Sequence, residues 1–150
     1  MTEHQIALAR RAVAAPGWRW LPGMAAIGRN GAKWRLYMGS GGVLCAQGEG
    51  DAGGYVAGWS NEWAEILGAL PDLSDPLTAL GLLALVRERW GGPDVYLVHV
   101  KAYNGRDRRW TLARGTSPTL LVGMNADSVL CYVSAETEVE ALVVALEVTP

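Results

Sequence analysis

Cysteine and histidine are nearly missing from this chain of 150 residues, with two of each, and that scarcity closes off much familiar chemistry. Cys45 and Cys131 share no metal-ligand spacing with each other or with His4 and His99, so a zinc site lacks its ligands. Both lie in apolar, strand-like runs and read as free buried thiols, with a disulfide the lesser alternative. A Ser-His-Asp or Cys-His arrangement would have to use His99, which sits mid-strand between Val98 and Val100 and reads as a satisfied core or half-buried histidine. No apolar run approaches the roughly 18 residues of a membrane span, and the polar opening Thr2-Glu3-His4-Gln5 is no secretory signal. A net charge of −2 and a pI near 5.7 exclude bulk coating of nucleic acid, which needs a basic excess. The expectation is a protein of the cytoplasm with no catalytic residues, no metal and no cofactor.

What is present suffices for one sizeable core, since hydrophobic residues make up 50% of the chain, and the reading is a single domain over 1–150. Charge is segregated. Residues 1–35 hold six basic residues against Glu3, residues 36–75 hold six acids and no Lys or Arg, residues 99–114 are basic, and residues 115–150 hold acids only.

The best-specified element is a central helix at about 76–90. Asp75 caps its start, Pro76 suits the first helical position, and Gly91 or Gly92 ends it. Its spacing predicts a buried arc of Ala79, Leu80, Leu82, Leu83, Ala84, Val86 and Trp90, and a wet arc of Thr78, Gly81, Glu88 and Arg89 shared with Leu85. Arg87 falls inside the apolar arc, where it would serve the helix dipole or an inner carboxylate.

Other helices are predicted over Thr2–Ala14, with Thr2 and Gln5 as a capping box and a stripe of Ile6, Ala9 and Val13, and, capped by Ser60 or Asn61, as a short amphipathic helix to about Gly68, where Trp59, Trp63, Ile66, Leu67 and Leu70 fall at helical spacing. A last helix is predicted over Ala135–Glu147, capped by Ser134 and apolar at Val139, Leu142, Val143 and Leu146. Trp18-Arg19-Trp20 alternates as a short strand. Asn30-Gly31 and Asn104-Gly105 mark hairpins, the first joining 24–28 to 33–38 and the second joining 94–103 to 108–114. The glycine-rich stretch 39–58 predicts one or two short strands and a loop, and further strands are expected at 119–124 and 128–133. Hairpins set between helices imply an α+β domain, with a mostly antiparallel sheet of about five strands and three to four packed helices.

Few motifs carry chemistry. Gly48-x-Gly50-x-x-Gly53 spells a dinucleotide fingerprint, but Tyr55-Val56-Ala57-Gly58 is a poor helix start and the motif reads as a loop. Glu62 with Glu65, or Asp72 with Asp75, would suit a divalent ion and a metal-dependent phosphodiesterase, yet each also fits a helix start or cap. The remaining constellation interleaves arginine with tryptophan: Trp18-Arg19-Trp20, Lys33-Trp34-Arg35 and Arg106-Asp107-Arg108-Arg109-Trp110. Aromatic faces stack on bases and guanidinium groups grip phosphates, so Arg19, Trp20, Arg35, Arg106, Arg108, Arg109 and Trp110 are the candidate ligand-binding residues. Strand alternation offers the plainer account, with Trp turned to the core and Arg to water.

The run Leu70-Pro71-Asp72-Leu73-Ser74-Asp75-Pro76, continued by Leu82-Leu83-Ala84-Leu85-Val86-Arg87-Glu88-Arg89-Trp90-Gly91, resembles the middle of small phage and prophage accessory proteins of unknown function. The openings Ile6 to Val13 and Gly17 to Met24, and the close Glu138 to Glu147, resemble theirs as well. The resemblance spans about half the chain, leaves 28–58 unmatched and carries over no functional residue. It implies a viral accessory protein acting in the host cytoplasm. The expected function is a host-defence antagonist that captures a small anionic or nucleotide-like signal. The alternative is a protein-protein inhibitor of a host defence protein, such as an anti-CRISPR, with Glu49 and Asp51 mimicking nucleic acid. Exposed edge strands would pair two copies into a homodimer.

Overall fold

The computed structural model describes residues 1–50, 54–101, 108–114 and 133–148. Among them four α-helices and two antiparallel sheets make an α+β protein, as the hairpin-and-helix pattern predicts. Contacts divide the chain into two compact units, Met1–Ala14 with Trp18–Gly81, and Ala15–Gly17 with Leu82–Pro150. One crossing between the units falls between Gly81 and Leu82, inside a helix, and the other two flank Ala15-Pro16-Gly17.

In the first unit, α1 (Glu3–Ala14) opens on reciprocal caps: Thr2 N–H donates to Gln5 Oε1 at 2.8 Å, and Gln5 N–H donates to Thr2 Oγ1 at 3.2 Å. Its buried face is Leu8, Ala9 and Ala12, whereas Ile6 and Val13 of the expected stripe are only half-buried. The sheet holds β1 (Ala25–Ile27), β2 (Lys33–Met38), β3 (Leu44–Gly48), β4 (Tyr55–Ala57) and β5 (Leu70–Pro71) in the order β4-β3-β2-β1-β5. Between β1 and β2, Gly31 takes φ +82° and Asn30 Oδ1 accepts from Ala32 N–H at 3.1 Å. Along β2 the pleat buries Trp34 and Leu36 and exposes Lys33 and Tyr37, while Met38 at its end is wet. Where one or two short strands are expected in 39–58, two form, β3 and β4, and residues 51–53 of the loop between them lie outside the described residues.

Trp18-Arg19-Trp20 is not a strand. The alternation holds, with both indoles buried and Arg19 exposed, but no neighbouring strand pairs with it. The indoles instead enter an aromatic cluster: Trp18 and Trp20 meet edge-on at 5.5 Å, Trp20 and Trp59 edge-on at 5.7 Å, and Trp59 and Trp34 tilted at 5.9 Å. Each such pair contributes about 0.5–1.5 kcal/mol beyond the area it buries. Helix α2 (Asn61–Leu67) starts on Ser60, whose Oγ accepts from Trp63 N–H at 3.3 Å, and ends on Gly68 in the left-handed region. Trp63 and Ile66, expected on its buried side, are 43% and 66% exposed; Ala64 is the residue it buries.

Helix α3 (Pro76–Arg89) has the predicted ends but only part of the predicted face: Leu82, Val86 and, just beyond the helix, Trp90 are buried as expected. Thr78, Leu82, Leu85 and Val86 are the buried residues, and Leu80 is 60% exposed. Leucines stand on nearly every side of this helix, so spacing alone selects no face, and hydrogen bonding decides. Thr78 is buried without penalty because its hydroxyl accepts from Ala25 N–H at 2.9 Å and donates to Asp75 Oδ2 at 3.0 Å. Met24, fully buried, fills the space beside Gly81, where an added Cβ would come within 2.5 Å of its Cε and 3.0 Å of its Cγ.

In the second unit, β6 (Val95–Lys101), β7 (Arg108–Arg114) and β8 (Val133–Ala135) form a three-stranded sheet in that order, with α4 (Glu138–Glu147) against it. The hairpin turn 102–107 and the strands expected at 119–124 and 128–133 lie outside the described residues, except Val133, which opens β8. Because Ser134 is spent on the ladder opposite Thr111, α4 starts later than expected, on Thr137, whose Oγ1 accepts from Glu140 N–H at 3.2 Å. Trp90 Nε1 donates to Ala145 O at 3.0 Å, and Arg87 Nε donates to Val95 O at 2.8 Å, so Arg87 serves a strand carbonyl and not a carboxylate. None of the described helices is long and apolar enough to cross a membrane.

Replacing fully buried Leu82 with Ala should lower stability by about 2–5 kcal/mol in urea unfolding, whereas Leu80→Ala should stay within about 0.5 kcal/mol. Equal losses at the two positions would contradict the face assigned to α3.

Candidate functional site

The first unit contains a pocket of about 720 Å³. That is in the range of small-molecule sites, about 300–1,000 Å³. It is walled by Ile6 and Val13 of α1, by Trp20, and by Ile27, Ala64 and Leu70 from the sheet and α2, and it carries Arg10, Arg29, Asn61 and Glu65. The mixture is an apolar body with a few polar groups, two guanidinium groups against one carboxylate. Arg10 and Arg29 are exposed, and neither makes a side-chain hydrogen bond or ion pair among the described residues. The Arg29 side chain runs along Gly68, where an added Cβ would meet its Nε at 3.0 Å. This places it at the C-terminus of α2, a position whose carbonyls favour a cation.

Of the sequence-predicted ligand residues in this unit, Trp20 lines the pocket and Arg19 and Arg35 do not. Arg35 is committed elsewhere. Its Nη1 donates to Asp75 Oδ2 at 2.8 Å and to Gly23 O at 2.9 Å, and its Nη2 lies 3.6 Å from Glu49 Oε1. The Asp75 hydrogen bond outweighs desolvation and raises the guanidinium pKa further. Arg19 is exposed beside Trp18 and Trp20. In the second unit Arg108 and Arg109 are residues of β7, and Trp110, half-buried, stacks on His99 with ring centroids 4.9 Å apart and planes at 19°. His99 is therefore an exposed, stacked histidine and not a core one. Arg106 lies outside the described residues.

The acidic residues are also accounted for by structure. Asp72, buried, accepts from Ser74 N–H at 3.1 Å and from the Ser74 hydroxyl at 2.5 Å, with Lys33 Nζ at 3.8 Å. Asp75 Oδ2 accepts from Thr78 N–H at 2.8 Å, from the Thr78 hydroxyl and from Arg35. Partial burial pushes the Asp75 carboxyl up, but the hydrogen bonds from Arg35 and Thr78 and the guanidinium charge together hold it below the ordinary 3.8. Glu62 and Glu65 are exposed on α2, and no cluster of three or more His, Cys, Asp or Glu among the described residues is placed to hold a metal ion. Cys45 is buried and free, its thiol donating to Val43 O at 3.5 Å and accepting from Tyr55 Oη at 3.4 Å, while Cys131 lies outside the described residues. The glycine motif leads from β3 into strand β4, not into the helix that a dinucleotide site needs.

Arg10 and Arg29 are the pocket residues that sequence reasoning passed over. For Arg10 a signal existed: four residues beyond Ile6 and three before Val13, it shares their side of α1. For Arg29, in a turn before Asn30-Gly31, no periodicity points to the site. Comparison with protein-family models, curated protein sequences and solved structures finds no match.

Because the folded pKa of Asp75 lies below its unfolded value, the carboxylate contributes stability that is fully present above pH 3.8 and is lost as pH falls through the folded value. Asp75→Asn should be less stable than the parent at neutral pH, with the difference closing under acid. Denaturant melts at stepped pH would show this, and a constant difference down to pH 2 would contradict it.

Proposed function

We propose that the protein is an accessory binding protein of the phage type that captures a small, anionic, nucleotide-like ligand in the pocket of the first unit, antagonising a host-defence signal. The observation that carries the reading is the pairing of Arg10 and Arg29 in one largely apolar pocket with neither ion-paired to a carboxylate among the described residues, while Arg35 of the same unit has two acidic partners. Unmatched guanidinium groups beside an indole suit a planar body bearing phosphate or carboxylate. The resemblance of 70–76 and 82–91 to phage accessory proteins supports the setting. A second reading, inhibition of a host defence protein by direct contact, is favoured by the exposure of Trp63 and Ile66 on α2.

Calorimetric titration with linear and cyclic nucleotides should give saturable heat, and Arg10→Ala or Arg29→Ala should each weaken binding roughly tenfold or more, on the scale of a charge-assisted hydrogen bond. Absence of heat at high micromolar ligand would sink the small-molecule reading. Capture of one host protein, abolished by Trp63→Ala with Ile66→Ala, would then favour the inhibitor.

A further inference from the structure

The two arginines of the pocket select for negative charge but not for what a ligand carries at its other end. That end is set by α2. Asn61, Ala64, Glu65 and Gly68 all line the pocket, and their spacing of three, four and seven places them on one face of the helix and its cap. Ala64 is the buried residue of that face, whereas Asn61 and Glu65 are exposed and neither makes a side-chain hydrogen bond or ion pair among the described residues. At the far end of the face the Arg29 side chain lies over Gly68. The wall therefore runs amide, carboxylate, guanidinium, with Asn61 and Gly68 about 10 Å apart at the rise of a helix. Helical side chains lean toward the N-terminus, which carries the Glu65 carboxylate toward Asn61 and away from Arg29.

A carboxylate in the wall of an anion site works against the ligand unless the ligand brings hydrogen-bond donors to it. Its two oxygens, which only accept, call for two adjacent N–H groups. Among the common bases guanine alone has that arrangement, since its N1–H and its N2 amino group stand side by side. Adenine and cytosine set one amino group beside an acceptor nitrogen, and uracil and thymine set one N–H between two carbonyls. We infer that the pocket takes a guanine nucleotide, with the Glu65 carboxylate accepting from N1–H and the N2 amino group, the Asn61 amide donating to O6, and the phosphate held by Arg10 and Arg29. This assignment rests on the pocket being a nucleotide site and adds the identity of the base. It gives the carboxylate a partner that no side chain of the unit supplies among the described residues, and it makes Glu65 the residue that determines specificity.

Guanosine, inosine and adenosine monophosphates are titrated calorimetrically into the full chain. The guanine nucleotide should bind roughly 5- to 150-fold more tightly than the adenine nucleotide, the range for one bidentate pair with a base. Inosine monophosphate, which keeps N1–H and lacks the amino group, should fall between them. Glu65→Gln exchanges an acceptor for a donor, so it should weaken the guanine nucleotide by a similar factor and raise the adenine nucleotide relative to it, since an amide matches an amino group beside an acceptor nitrogen. Arg10→Ala should weaken both nucleotides by the same factor, because phosphate contacts carry no base information. Glu65 is exposed, so Glu65→Gln should unfold at the parent's temperature, and that measurement separates a change of preference from a change of fold. If the variant does not fold, the parent's own preference among the three nucleotides decides. Equal or tighter binding of the adenine nucleotide by the parent overturns the guanine assignment and leaves the pocket as a nucleotide site. A folded Glu65→Gln variant with the parent's preference does the same. Absence of heat with all three at high micromolar ligand overturns the assignment and the nucleotide site together.

Discussion

The first unit depends on one oxygen atom, Oδ2 of Asp75. It accepts from the backbone N–H and the hydroxyl of Thr78 and from Nη1 of Arg35, so a single carboxylate starts α3 and ties it to β2. Thr78 passes the connection on by accepting from Ala25 N–H, and Ala25 is the register partner of Arg35. The result is a closed circuit from strand pair to helix start and back. Removing the carboxylate would leave a guanidinium and a buried hydroxyl short of partners at once, so the loss exceeds that of one exposed ion pair.

How much of this was legible follows from how far apart the partners lie. Thr2 with Gln5, Ser60 with Trp63, Asn30 with Ala32, and Asp75 with Thr78 are contacts within three residues, and the sequence pattern locates each one. The α+β class is legible for the same reason, since turns and caps punctuate the chain. The buried face of α3 is not, because Thr78 finds its second partner 53 residues away in Ala25 and Gly81 faces Met24. The pocket is illegible for a stronger version of that reason: it draws on α1, Trp20, the β1–β2 turn and α2, and no window of sequence contains it. Arginine identity says nothing about role, since Arg35 pairs with Asp75 and Glu49 whereas Arg10 has no such partner among the described residues.

The net charge conceals how unevenly that neutralisation is distributed. Around Asp72 and Asp75 the acids of 36–75 meet the basic residues of β2, and the charges consume each other in holding the unit together. Among the described residues, the pocket's Arg10 and Arg29 stand outside that arrangement. The binding reading attaches to this pocket because such charge can be turned on a ligand without dismantling the fold.

The four clustered indoles, of five in the first unit, have a consequence in spectroscopy as well as in stability. With centroids 5.5–5.9 Å apart, the rings of Trp18, Trp20, Trp59 and Trp34 form an unbroken chain of neighbours, so their electronic transitions couple and the group behaves as one extended chromophore. Trp20 belongs both to that chromophore and to the pocket wall. Anything entering the pocket therefore perturbs a shared excited state, and the protein carries its own optical reporter of occupancy with no label attached.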